Sequence, residues 1–207
     1  MSKRNTDPRT GRMVRLAILV AIIILMAFTP LGYLHAGVVE ITFIMIPVVV
    51  GAVTLGPAAG ALLGGVFGLT SFIQCFGLSH FGAALLAINP IYTFILCMIP
   101  RILAGWLPGL IFKALYRVDR TKFLSFAAAT LSGALLNTIF FVGFLLIMFG
   151  RTDYIMSFGN SAWEIIVLLV GLNGVIEAIV CCVVGAVIGK ALAYFIPVRH
   201  ISPEIQT

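Results

Sequence analysis

The sequence predicts an all-α integral membrane protein with six transmembrane helices and both termini on the cytoplasmic side. Three observations predict it. Of the 207 residues, 61% are hydrophobic and only 10% are charged, against roughly 25% charged and about 45–50% apolar in a soluble domain. The apolar residues fall into six stretches, and a helix needs about 20 such residues to cross a hydrocarbon core roughly 30 Å thick. The basic residues gather on alternate connections between those stretches, which is the asymmetry that sets membrane orientation.

The chain divides into a basic cytoplasmic tail at residues 1–13, a membrane domain at 14–197 and a cytoplasmic C-terminal tail at 198–207. The first helix is expected over 14–34. Its apolar run is too long for a signal-peptide core, and no small-residue cleavage site follows, so it is expected to be retained. The second, over 41–55, is short and contains Pro47, which suits a bent or tilted helix. Leu55-Gly56-Pro57 makes a tight turn into the third helix, over 57–75. The connection 76–90 holds a weaker apolar piece at 81–88. At eight residues this piece is too short to span, so a re-entrant or interfacial helix is expected. The fourth helix covers 91–116, with Asn89 as its N-cap and Pro90 at its first position. The fifth covers 123–149 and the sixth 163–195.

Charge orients this bundle. Lys3, Arg4, Arg9, Arg12 and Arg15 lie at the start. Lys113, Arg117, Arg120 and Lys122 lie between the fourth and fifth helices, and Lys190 and Arg199 near the end of the sixth. On a six-helix reading these eleven of the thirteen basic residues share one side. A five- or seven-span count breaks the pattern. The net charge of +6 thus reports topology and gives no reason to expect nucleic acid as a partner. The connections 32–40, 76–90 and 150–162 are longer than the 55–57 turn and carry His35, Glu40, His80, Arg151 and Asp153. Function is expected to open outward through them. His35 and His80 are isolated and read as solvated loop residues. Cys75, Cys97, Cys181 and Cys182 all sit in apolar segments without metal-ligand spacing and read as packing residues. No metal or cofactor is expected.

Ionisable groups at membrane depth are costly and mark functional sites by default. Arg101 lies near the middle of the fourth helix, Asn137 of the fifth, and Asn173 and Glu177 of the sixth. Asn173 and Glu177 are one turn apart on the same face. Counting about 1.5 Å per residue from the helix ends puts all four at similar depth. An unpaired arginine there costs at least about 2.5–3.5 kcal/mol. Two readings follow, and they can coexist. Arg101 and Glu177 form an ion pair with the asparagines joining helices, or the four residues form a polar floor beneath an outward cavity. Nearer the outer surface, Gln74, Asn89, Tyr92 and Arg151 are candidates to contact a substrate.

Small residues recur at four-residue spacing at Gly60, Gly64 and Gly68, at Gly185 and Gly189, and at Ala17 and Ala21. Such patterns let helices approach closely in lipid, either inside the bundle or against a separate membrane protein. Catalytic motifs are missing. The nearest approach to a P-loop, Gly185 to Lys190, has the wrong glycine spacing and no Ser or Thr after the lysine. Ser71 and Ser132 have no evident base beside them. The chain therefore reads as a non-enzyme. An autonomous secondary transporter often shows an internal repeat, and none is evident here. A substrate-binding membrane subunit energised by something else remains, with a structural or assembly membrane protein as the alternative.

Several strings carry a family resemblance. They are Ala17-Ile-Leu-Val-Ala21, Phe28-Thr-Pro-Leu-Gly-Tyr33, Ile46-Pro-Val-Val-Val-Gly51, Leu55-Gly-Pro-Ala-Ala-Gly60, Phe67-Gly-Leu-Thr-Ser71 and Pro100-Arg101-Ile-Leu-Ala-Gly105. Over about residues 15–110 the chain resembles the substrate-binding S component of energy-coupling factor (ECF) vitamin transporters, and most of all the pantothenate branch. Riboflavin or a queuosine precursor is the alternative cargo. The resemblance implies a multi-pass protein of a bacterial cell membrane that binds a vitamin in its outer half. It also implies a transmembrane coupling protein and two cytoplasmic ATPases as partners, with Ala17 and Ala21 as the docking face. By that likeness Arg101 would meet the pantothenate carboxylate, with Arg151 competing for the role. Asn137, Asn173 and Gln74 would serve the hydroxyls and amide. Glu177 would need Arg101 to neutralise it.

Overall fold

The computed structural model describes residues 8–29, 32–36, 39–116 and 123–157, together with the isolated helical positions Glu164, Val183 and Val187. Helix α1 spans Pro8–Ala27. It starts and stops nearly two turns earlier than the expected 14–34. Pro8 occupies its first position, where a missing N–H costs nothing, and the arginines that follow extend the helix past the apolar run. It stops short because Thr29 precedes Pro30, and the residue before a proline is disfavoured in a helix. Thr29 Oγ1 turns back to the Leu25 carbonyl at 2.8 Å and closes the last turn.

The second departure follows at once. Residues expected to be a loop and the start of a helix instead form a hairpin, β1 (Tyr33–Ala36) and β2 (Val39–Thr42). The strands are antiparallel, with Tyr33 opposite Thr42 and Ala36 opposite Val39. Val38, Val39, Ile41 and Thr42 are β-branched, which favours a strand over a helix. Helix α2 therefore begins only at Met45 and ends at Leu55. Its 11 residues are about 16 Å long, roughly half a hydrocarbon core. Pro47 falls in its first turn, where no N–H is needed for the ladder, so it supplies no bend.

Gly56 adopts φ 99° and Pro57 opens helix α3 (Pro57–Gln74), as the turn signal requires. Helix α4 (His80–Ile88) is the expected short piece, and the Ser79 hydroxyl caps it by accepting from Gly82 N at 3.3 Å. Helices α5 (Pro90–Tyr116) and α6 (Phe123–Phe149) have 27 residues each. The single turn α7 (Asp153–Met156) follows. Among the described residues, α1, α3, α5 and α6 are long and apolar enough to cross a membrane. The sixth expected span, with Asn173, Glu177, Cys181, Cys182, Gly185 and Gly189, lies outside the described residues.

Contacts between helix ends give the directions. Arg12, early in α1, donates Nη2 to the Leu55 carbonyl at the end of α2 at 3.1 Å. Gln74, at the end of α3, donates its side-chain amide to the carbonyl of Ala27 at the end of α1. Thus α1 and α3 run parallel, and α2 runs against them. Phe112 stacks on Phe126 at 4.9 Å and Tyr92 meets Phe149 at 6.2 Å, so α5 and α6 are antiparallel.

The glycines of α3 are spent inside the bundle. A Cβ at Gly60 would overlap the Gly105 carbonyl, one at Gly64 the Arg101 carbonyl, and one at Gly68 would come within 2.8 Å of the Cys97 carbonyl. Each step of four residues along α3 matches a step of four back along α5. The two backbones are therefore in direct contact over at least two turns, the small-residue packing expected in lipid. Around this pair lie two apolar clusters. One joins α1, α2, α3, α5 and α6 through Ile23, Val48, Leu63, Phe67, Phe112 and Phe126. The other joins α4, α5, α6 and α7 through Leu85, Leu96, Leu145, Phe149 and Ile155.

Replacing Gly64 by Ala is expected to lower the thermal midpoint of the detergent-purified protein, at a cost of about 1–3 kcal/mol, because the added methyl meets backbone that cannot turn aside. Gly65→Ala should change the midpoint little, since its Cβ would sit 3.7 Å from Ile102. Equal effects from the two variants would remove the α3–α5 contact as the cause.

Candidate functional site

Arg101 sits at the seam between the two clusters. Its guanidinium carbon lies 5.5 Å from the centre of the Phe67 ring of the first cluster, and 4.7 Å from that of Phe141, packed on the second. Both are cation–π distances. The close α3–α5 contact holds its backbone, and its Nη1 donates to the Leu96 carbonyl at 2.8 Å. Among the described residues its buried Nε has no hydrogen-bond partner, and no carboxylate faces it.

Asn137 is buried on α6, one turn before Phe141 and on the same face. The ring that covers Arg101 therefore brings Asn137 to the same level. Its buried Oδ1 likewise has no partner among the described residues. Arg101 is eleven residues in from Pro90 and Asn137 twelve from Phe149, so each lies about 16–18 Å along its helix from those neighbouring ends. An unsatisfied donor and an unsatisfied acceptor at one depth in an apolar surround each cost about 1–3 kcal/mol.

The other candidates are placed differently. Gln74 is buried, and its amide caps α1 through Ala27. Asn89 Oδ1 accepts from Ile91 N at 3.1 Å and Tyr92 N at 3.2 Å, which is the N-cap geometry expected. Tyr92 is exposed in the first turn of α5, beside Phe149. Arg151 is exposed in the turn between α6 and α7. Asn173 and Glu177 lie outside the described residues, so the expected Arg101–Glu177 pairing does too.

Sequence reasoning missed the aromatic wall. Phe81 of α4 lies 6.5 Å from Phe141 and 6.0 Å from Tyr154 of α7, so the short helix closes over the ring that covers Arg101. Phe141 was findable, being four residues from Asn137 on one helix face. Phe81 and Tyr154 were not, since no local signal tells where a short helix folds back. The cysteines also meet: Cys75 and Cys97 Sγ lie 4.0 Å apart, both buried and unbridged. A Cβ at Gly82 would come within 2.6 Å of Cys75 Sγ, so α4 packs tightly on this pair.

The family model for ECF transporters, substrate-specific component, matches residues 11–189. The chain belongs to this family. The S component is also 30% identical over 196 residues to a pantothenate transporter, PanT, of Leuconostoc mesenteroides, covering 90% of this chain and 94% of the relative. Such components bind a vitamin and work with a membrane coupling protein and ATPases. The S component is thus a membrane protein for vitamin uptake. Its α3 glycines face α5, whereas Ala17 and Ala21 on α1 are exposed among Val14, Ile18, Ile22 and Leu25. One small-residue pattern is internal and the other is presented outward.

Gln74→Leu keeps the bulk but removes the donor. It is expected to strand the Ala27 carbonyl and cost about 1–3 kcal/mol, read as a lower melting midpoint. An unchanged midpoint would show that Gln74 does not anchor α1.

Proposed function

We propose that this chain is the pantothenate-binding subunit of an ECF-type importer, a six-span protein of a bacterial cell membrane with both termini in the cytoplasm. The observation that carries the site is Arg101. Its Nε stands unpartnered between two aromatic rings at membrane depth. Interhelical glue would pair such a group with its neighbours, whereas a binding site keeps it for the ligand. Pantothenate brings a carboxylate, hydroxyls and an amide. Arg101 receives the carboxylate, and Asn137 accepts from a hydroxyl or the amide N–H. Asn173 and Glu177 would complete the polar floor from the sixth helix. Gln74 and Asn89 contribute mainly by holding helix ends, and Tyr92 and Arg151 form the outer rim. The pantothenate cargo of the relative and the carboxylate-binding chemistry of Arg101 support the same vitamin.

The calorimetric test uses the purified protein with pantothenate and with its alcohol analogue, which lacks the carboxylate. Arg101→Gln should weaken pantothenate at least about tenfold, the loss of one charge-assisted hydrogen bond, and should leave the analogue nearly unaffected. Tight binding of another vitamin, with none of pantothenate, would replace the cargo while sparing the transport role.

Energy would come from a transmembrane coupling protein and two cytoplasmic ATPases. Ala17 and Ala21 would form the flat face on which the coupling protein docks. Changing both to Leu should abolish uptake in cells while pantothenate affinity stays within about twofold. Loss of affinity in the purified variant would instead assign α1 to the pocket.

A further inference from the structure

The structure assigns Pro100 a role as the positioning residue that aims Arg101. This rests on the reading of Arg101 as the carboxylate-binding group, and asks what turns that side chain to its ligand. In an α-helix the N–H of residue 100 would bond to the carbonyl of residue 96. Proline has no N–H, and its ring pushes that carbonyl away. Pro100 lies inside α5, so the Leu96 carbonyl loses its helical partner. Leu96 itself is buried in the outer apolar cluster, where an unsatisfied carbonyl finds no water. Arg101 Nη1 takes the vacant place at 2.8 Å. The proline thus creates an acceptor, and the next residue fills it.

This has a consequence for the rest of the guanidinium. The group is planar and its five N–H donors are fixed in a fork. Nη1 lies on the side of Cδ, so Nε–H and one N–H of Nη2 form the opposite edge, parallel and side by side. With Nη1 held on Leu96, that edge is turned away from α5. It is the edge that binds a carboxylate through two hydrogen bonds. Nε on this edge is the buried atom left without a partner. The rings of Phe67 and Phe141 restrict the plane from two sides. Anchor and rings together leave the side chain little rotamer freedom before the ligand arrives, and that loss is then not charged against binding. With any other residue at position 100, the backbone N–H returns to Leu96 and the arginine loses its anchor. The second internal proline, Pro108, frees the Ala104 carbonyl in the same way, but Gly109 follows it and has no side chain to donate.

Calorimetry on the full-length protein with pantothenate and its alcohol analogue tests this. Pro100→Ala should weaken pantothenate roughly tenfold, as expected for re-freeing one long side chain, and leave the analogue within about twofold. Pro108→Ala should not discriminate between the two ligands. In an Arg101→Gln background, Pro100→Ala should add no further loss for pantothenate. Equal weakening of both ligands, or an independent loss in the double variant, would reduce Pro100 to a structural residue and overturn the proposal. If Arg101→Gln itself fails to separate the ligands, the carboxylate role of Arg101 falls, and this inference falls with it. If Arg101→Gln separates them and Pro100→Ala does not, only the positioning role is lost. Should Pro100→Ala not purify, Pro100→Ser reads the same way, because it also restores the N–H.

Discussion

The direct backbone contact between α3 and α5 is the constraint on which the other arrangements depend. In lipid the hydrophobic effect does not drive one apolar helix against another, and association rests on packing and close approach. Gly60, Gly64 and Gly68 remove the side chains that would hold α5 off, and Gly105 does the same from the other side. The Arg101 backbone is pinned at Gly64 and that of Cys97 at Gly68. From these positions Arg101 can reach both the Phe67 ring on α3 and the Phe141 ring on α6. A looser interface would leave the guanidinium free to find other partners.

The polar groups occupy the seam that this contact leaves between two apolar clusters. Arg101 has one backbone acceptor and two aromatic faces, which offset part of the cost of its charge. Its Nε and the Oδ1 of Asn137 are left over. Folding alone gains nothing from two such groups, so the arrangement is stable in spite of them. The close-packed glycine face supplies a rigid frame that tolerates them, and α4, seated on Cys75 through Gly82, packs over that end of α3.

Hydrophobic length made most of the bundle legible from sequence. The turn at Gly56-Pro57, the cap at Asn89 and the bounds of α6 follow from local chemistry and agree with expectation. The hairpin at 33–42 is not legible from apolar length, because the β-branched residues between Val38 and Thr42 favour a strand locally. Pro47 suggests a bend only for a helix that starts at residue 41, and α2 starts at Met45. At the site, the depth of Arg101 and Asn137 was readable by counting. Their surroundings were not, since helix rotation and the return of α4 are tertiary facts. The exception is the Pro100-Arg101 dipeptide, in which a local rule about missing N–H groups carries geometric information. The four-residue glycine spacing was visible, but only the structure separates it from the alanine spacing on α1 by the side each one faces.

Helix α1 is tied at both ends, by Arg12 to Leu55 and by Gln74 to Ala27, with its alanine face left outward. The surface that would address a partner is thus on a different helix from the groups that would grip a solute. A helix fastened at its two tips transmits force as a strut does, along its length to the ends of its neighbours. Cargo choice and mechanical attachment can then be altered separately in the same chain.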